Sequence, residues 1–291
     1  MKRSCKKRKP RIAAIIIIIV AIFVVVELYV SKYSLQVSTY TISSEKITDQ
    51  LRIVQLSDLH NSVFGRDNQK LVHLVQKQSP DLILITGDLL NSDESETDTA
   101  TSLISSLCNI ASVYVSMGNH EEEYQQYYGT DIIELYEKAG AIVLDKQYED
   151  ITVNGQQIRL GGIYGYCLPY EYLETNEADP EECYFLLDFQ DTDRYTILMC
   201  HMPVSWLIYG SLDSWEIDCV MAGHAHGGQI RIPFIGGLWA PDQGWFPGEE
   251  CGLYYSSDGS KITVLSRGLG STEIVPRFNN IPEIVVLDLL P

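Results

Sequence analysis

The sequence predicts an α/β fold behind one amino-terminal membrane helix, and three observations carry that expectation. Three strand–loop–helix units follow one another from Leu51 to Glu121. Each of their strands stops at a polar cluster, where the ligand crevice of such sheets lies. A basic stretch followed by an unbroken apolar run precedes them all.

The amino terminus divides sharply by charge. Residues 1–11 hold seven lysines and arginines and no acid, while the whole chain carries −18, so the rest carries −25. A body that acidic lacks the clustered Lys and Arg that a nucleic-acid backbone requires, which excludes DNA or RNA as a partner. Ile12 to Val26 is apolar throughout, and residues 12–30 read as a transmembrane signal-anchor. No small-x-small cleavage site follows, and no twin-arginine pair precedes. The basic flank is expected to stay in the cytoplasm, placing the body outside the cell membrane. Residues 31–50 read as a stalk and lead-in strand, and 51–291 as the catalytic domain. The cysteines are scattered without a C-x-x-C, so buried free thiols are expected; Cys167 and Cys183, both in a polar insert, are the pair expected to cross-link if any oxidises.

Along the body, Leu51–Leu56 reads as a strand ending in Ser57-Asp58-Leu59-His60. Asp67–Gln78 has helical spacing. The strand Leu82–Ile85 stops at Thr86-Gly87-Asp88, and Val113–Ser116 stops at Met117-Gly118-Asn119-His120-Glu121, with a helix around Leu103, Ile104 and Leu107 between them. A helix over Thr130–Ala139, a strand at Ile142–Leu144 and a hairpin turned at Asn154-Gly155 come next. A Tyr- and Glu-rich insert spans 165–193, with a helix start at Asp179-Pro180. Tyr195–Cys200 then leads to His201, and Ile217–Ala222 to Gly223-His224-Ala225-His226-Gly227. Gln229–Ile232, Gly252–Ser256, Lys261–Ser266 and Pro282–Leu287 read as further strands, mostly antiparallel.

Five of the six histidines, His60, His120, His201, His224 and His226, sit just after a strand; only His73 falls mid-helix, as a surface residue. With Asp58, Asp88 and Asn119 they form a nitrogen and oxygen donor set without thiolate, suited to Mn, Fe or catalytic Zn. A mononuclear site needs about three protein ligands. The larger set points to two divalent metal ions, roughly 3.5–4 Å apart, with Asp88 as the bridge.

These blocks, Asp58-x-His60, Gly87-Asp88, Gly118-Asn119-His120-Glu121, His201 and Gly223-His224-x-His226, resemble the calcineurin-like metallophosphoesterase superfamily in type and order. Ser266-Arg267-Gly268-Leu269-Gly270 and Pro276-Arg277-Phe278 resemble its bacterial branch of membrane-associated and exported phosphodiesterases. The resemblance implies two packed mixed β-sheets flanked by helices. It implies that Asp58, His60 and His226 hold one metal, that Asn119, His201 and His224 hold the other, and that Asp88 bridges. His120 would be no ligand but an acid or transition-state stabiliser at the leaving group, with Glu121 orienting it. Members often have Gly-Asp-x-x-Asp, the last acid orienting this histidine; here Asn91 stands in that place and brings no charge.

The activity so implied is hydrolysis of a phosphate ester, in particular a diester, by in-line attack of a metal-bridging hydroxide. A lipid or cell-envelope substrate follows from topology alone. A sugar-nucleotide or pyrophosphate lipid hydrolase would use the same site, and a non-catalytic metal-binding scaffold is the alternative outside enzymes. Arg231 and Arg267 read either as phosphate contacts or as structural residues. Trp239, Trp245 and Phe246 read as core, substrate wall or bilayer contact, and Tyr164, Tyr166, Tyr170 and Tyr172 as a cap.

Overall fold

The computed structural model describes residues 8–271 and 275–291. The basic residues 1–7, expected in the cytoplasm, lie outside the described residues. The chain begins with α1, Arg8–Tyr33, whose Ile12–Tyr33 portion is long and apolar enough to cross a membrane. Next come β1 (Gln36–Ser43), β2 (Leu51–Leu56), α2 (Gln69–Lys77), β3 (Leu82–Thr86), α3 (Asp98–Leu107), β4 (Ser112–Ser116), α4 (Asn119–Tyr128), α5 (Ile132–Lys138) and β5 (Ile142–Leu144). The second half holds β6 (Gln147–Val153), β7 (Gln156–Ile163), α6 (Pro180–Gln190), β8 (Tyr195–Cys200) and β9 (Cys219–Ala222). Four two-residue strands follow, β10 (Arg231–Ile232), β11 (Gly236–Gly237), β12 (Trp239–Ala240) and β13 (Gly244–Trp245). Then come β14 (Gly252–Tyr255), β15 (Ile262–Leu265) and β16 (Glu283–Leu290).

Two six-stranded sheets result, ordered β1-β16-β2-β3-β4-β5 and β14-β15-β9-β8-β7-β6. Each is mixed. β2 to β5 run parallel, as do β15, β9, β8 and β7, with antiparallel pairs β16/β2, β14/β15 and β6/β7. The sheets face one another through a shared apolar layer that includes Ile53, Leu82 and Leu84 from one and Ile197, Met199 and Met221 from the other. Because successive strand residues point to opposite faces, the alternate residues Val54, Ile83 and Ile85 pack outward with Leu71, Val75, Leu103 and Leu107 of α2 and α3. On the other side Leu198, Cys200 and Val220 pack with Leu186 and Phe189 of α6. Strands buried on both faces explain the near-continuous apolar runs in the sequence.

Several expectations change. The late strands pair mostly antiparallel, as expected, but β15 and β16 each also take one parallel neighbour. Of Gln229–Ile232 only Arg231–Ile232 forms a ladder, with β11. The lead-in strand is β1, which pairs with β16 along its whole length, so the sheet takes in much of what reads as stalk. The helix α4, opened by Glu121 and Glu122 in its first turn and closed by Gly129 in the left-handed region, is not evident from apolar spacing. The Cys167 thiol contacts that of Cys200, with sulfurs 3.7 Å apart, and Cys167, Cys183 and Cys200 are all free. Arg231 has a structural role, bonding the Gly227 carbonyl and the Glu250 carboxylate at 2.9 and 3.0 Å.

The layer between the sheets holds their strand ends together. Leu84→Ala, at a fully buried position in that layer, is expected to cost about 2–5 kcal/mol in denaturant unfolding of the full chain in detergent. An effect near zero would contradict the packing described.

Candidate metal centre

The carboxyl ends of strands from both sheets meet at one place. Asp58 and His60 follow β2, Asp88 follows β3, and Asn119 and His120 open α4 directly after β4. From the second sheet, His201 follows β8, and His224 and His226 follow β9. Asp58, His60, Asp88, His201, His224 and His226 are buried, while Asn119 and His120 are half-buried. All the residues expected in the site are therefore brought together.

Their donor atoms converge in overlapping triads. Asp58, His60 and His226 form one, and Asp88, His201 and His224 another, with candidate ligand atoms in each within 4.8 Å of one another. Asp88 joins them: its Oδ2 lies 3.1 Å from His201 Nε2 and 3.7 Å from His60 Nε2. His120 also approaches His60 and Asp88. Several donor atoms of these residues lack hydrogen-bond partners among the described residues, namely Asp58 Oδ2, His60 Nε2, Asn119 Oδ1, His201 Nε2 and His226 Nδ1. Buried polar atoms are normally satisfied, and each orphan costs about 1–3 kcal/mol. Unpartnered donor atoms on residues gathered this closely fit a cation.

Hydrogen bonds on the far side of each ring set the tautomer that such binding needs. His201 Nδ1 donates to the Thr86 carbonyl at 2.6 Å, which turns Nε2 toward Asp88. His60 Nδ1 donates to Asn91 Oδ1 at 3.1 Å, which frees Nε2. His224 Nε2 meets Asp242 Oδ2 at 3.1 Å, which frees Nδ1.

The backbone is strained to make this possible. Asp58, His60, Asp88, His224 and His226 all have φ between 46° and 66°, a region L-residues rarely adopt, at a cost of order 1–3 kcal/mol each. Close approach adds a demand for glycine. A Cβ at Gly118 would lie 2.2 Å from Asp88 Oδ1, and one at Gly223 would lie 2.5 Å from Asp58 Oδ2.

Two residues expected to orient His120 do something else. Asn91 holds His60, through the bond above and a longer one to the His60 carbonyl. Glu121 is fully buried and touches backbone: Asp88 N and Gly118 N donate to its Oε2 at 2.7 and 2.9 Å, and Leu89 N to its Oε1 at 2.8 Å. The Tyr136 hydroxyl adds a fourth bond at 2.9 Å. Glu121 thus pins the β3 and β4 loops to each other. His120 is fixed instead by Ser92, whose backbone N–H donates to Nδ1 at 3.1 Å and leaves the proton on Nε2. A backbone donor leaves no mark in a sequence, so nothing in the sequence points to Ser92.

Residues 51–228, more than half of the chain, match the calcineurin-like phosphoesterase family. The chain belongs to that family. It is accordingly a metal-dependent phosphoester hydrolase. Among relatives, the uncharacterised metallophosphoesterase YkuE of Bacillus subtilis is 28% identical over 90% of this chain and 87% of its own. The phosphodiesterase YaeI of Escherichia coli is 29% identical over 82% of each. The 5'-nucleotidase precursor of Thermus thermophilus aligns in structure with a TM-score of 0.47 and 14% identity, over 76% of this chain and 49% of that one.

The electrostatics of this phosphoesterase site favour a cation. Burial lowers His60 to about 3 and holds His226 well below its usual range, so both offer lone pairs at neutral pH. Burial also works to lower His201, but the Asp88 carboxylate outweighs it and holds His201 at about 10. A cation bound between Asp88 and His201 must therefore expel a proton. Calorimetric titration with Mn²⁺ at neutral pH, in buffers of different ionisation enthalpy, should show release of about one proton. Affinity should rise with pH toward about 10, where His201 loses its proton unaided. Binding without proton release would contradict the pairing. Separately, Glu121→Gln leaves a buried N–H without an acceptor, and should lower stability by about 1–3 kcal/mol and weaken Mn²⁺ binding in the same titration. Unchanged stability would exclude the pinning role.

Proposed function

We propose that the protein is a dinuclear phosphodiesterase, anchored by α1 with its catalytic domain outside the cytoplasm. In this reading Asp58, His60 and His226 hold one divalent ion, Asn119, His201 and His224 hold the second, and Asp88 is shared. The observation that carries it is Asp88 Oδ2, set between His60 and His201 at 3.7 and 3.1 Å, with unpartnered donor atoms on both sides. The all-nitrogen-and-oxygen donor set suits Mn, Fe or Zn. The Cys200 thiol, although adjacent to His201, turns to the Gly165 carbonyl instead. Bound ions would supply Lewis acidity at the phosphoryl oxygens and a nucleophilic water at neutral pH.

The chain's own residues then account for orientation and charge. The two sheets present candidate ligands from opposite sides, so a phosphoryl group held at the site would lie between them. As the bond from phosphorus to the leaving oxygen breaks, His120 donates a hydrogen bond from Nε2–H to the developing charge. The Ser92 N–H holds the ring in that tautomer. Asn91 and Thr86 keep His60 and His201 turned with Nε2 inward. The description of YaeI as a phosphodiesterase supports a diester over a monoester.

The test compares bis-p-nitrophenyl phosphate with p-nitrophenyl phosphate after chelation and re-addition of Mn²⁺, Fe²⁺ or Zn²⁺. Metal-dependent turnover favouring the diester is expected. His120→Ala should lower kcat by about 10²–10⁴-fold with metal still bound, whereas Asp88→Ala should lose metal and activity together. Folded protein that binds two ions and turns over neither ester would refute the reading.

A further inference from the structure

The last turns of α1 lie against the catalytic domain. The Phe23 ring meets Phe278 edge-on with centroids 6.3 Å apart. Ser31 is fully buried, and its Oγ accepts a hydrogen bond from the Asn280 backbone at 3.2 Å. Leu28, Ser31 and Tyr33 form one wall of a cavity of about 640 Å³, and His60 and Asn91 of the metal centre form part of another. α1 is thus part of the surroundings of the active site.

Helix length sets the depth of this cavity. A hydrocarbon layer about 30 Å thick takes about 20 helical residues. Counted from Ile12, the start of the apolar run, the span is complete only at about residue 31. Phe23 falls near its middle. The domain surface that touches α1 between Phe23 and Ser31 therefore lies level with acyl chains and headgroups rather than in bulk water.

That surface has the side chains such a position requires. Phe234 is fully exposed, Trp245 is 70% exposed and Phe246 60%, with Ile235 and Trp239 also exposed, all on the hairpins β10–β11 and β12–β13. The first hairpin is bonded to the Phe278 backbone through Arg231 N at 2.9 Å, so it stands beside the contact with α1. The second reaches the metal centre, since Asp242 in its turn bonds His224. Clustered exposed aromatics are costly in water and favourable at a bilayer interface. The cavity also contains an anion donor. Arg277 is 4% exposed, two of its nitrogens bond the Gly270 and Arg267 carbonyls, and its Nη1 has no partner among the described residues.

We infer that the cavity between α1 and the metal centre is the substrate entrance and that it opens at headgroup depth. The substrate is a phosphodiester carried on a membrane lipid, with its phosphate between the metal centre and Arg277 and its acyl chains beside α1. This rests on the phosphodiesterase reading and on α1 crossing the bilayer.

The experiment uses the full chain, metal-loaded, in dioleoylphosphatidylcholine vesicles. Two esters with the same leaving group are compared: bis-p-nitrophenyl phosphate in solution and the p-nitrophenyl ester of dioleoyl phosphatidic acid in the vesicle. The lipid ester should give a kcat/KM at least about tenfold higher. Phe234→Glu combined with Trp245→Glu should lower lipid-ester turnover about tenfold and leave the soluble diester within about twofold. Independently of turnover, Trp239 and Trp245 emission should be quenched by phosphatidylcholine brominated on its acyl chains, while the buried Trp206 and Trp215 supply the unquenched remainder. Unquenched emission overturns the inference. So does a lipid ester no better than the soluble one, or a variant that loses both alike, while the phosphodiesterase reading stands. No hydrolysis of either ester overturns that reading and the assigned substrate with it, and quenching then decides the seating alone.

Discussion

Asp88 and His201 approach to 3.1 Å without a hydrogen bond's geometry, inside a protein, with His60 close on the other side. Lone pairs held this way repel one another and have been stripped of water. Only a proton or a metal ion placed among them makes the arrangement favourable. The rest of the fold can be understood as what prevents these groups from moving apart. Asp58 and Asp88 come from one sheet and His201 and His224 from the other, so the apolar layer between the sheets sets their separation. The function therefore depends on packing some distance from any ligand, because sliding one sheet against the other would open the site.

Locally the same task falls to a second buried carboxylate. Glu121 gathers three backbone N–H groups from the loops after β3 and β4, which the His120 N–H bond to Asp88 Oδ1 and the Ser92 N–H bond to His120 also join. Its own charge is disfavoured, first by burial and then by neighbouring Asp88, and the four bonds it accepts offset that cost. The positive φ at five positions of the candidate site is held by this kind of over-determination: Asp58 N bonds the Gly87 carbonyl, His60 N that of Asp88, and His224 N the Asp58 carboxylate. Strain and support are thus found in the same few residues.

Legibility in the sequence follows from these physical roles. The parallel strands were plain because burial on both faces makes them apolar without interruption, and the metal-site candidates were plain because they stop those runs abruptly. α4 was hidden because its sequence, Asn-His-Glu-Glu-Glu-Tyr-Gln-Gln-Tyr-Tyr, has no aliphatic stripe. The directions of β15 and β16 were hidden because each is set by partners far away in the chain, β9 and β1, which no local pattern encodes. Asn91 and Glu121 could be recognised as belonging to the site but not assigned their partners. Three residues of separation fixes neighbourhood, whereas the choice between His60 and His120 depends on how the loop turns. Ser92 shows the limit of such reading, since its contribution is a peptide N–H that any residue but proline would supply.

The connection between α1 and β1 has a consequence for where the chemistry takes place. Only Ser34 and Leu35 separate the end of α1 from the start of β1, a reach of at most about 7 Å. β1 is held to β16 over eight residue pairs, and β16 lies against β2, which carries Asp58 and His60 at its end. A flexible stalk would have let the catalytic domain range over the aqueous phase. This linkage does not, because every element between the helix and the metal ligands is hydrogen-bonded to the next. With α1 across a bilayer, the distance from the metal centre to the lipid surface becomes a fixed dimension of the protein. On the proposed reading, that constraint would serve an ester held in the membrane rather than one free in solution.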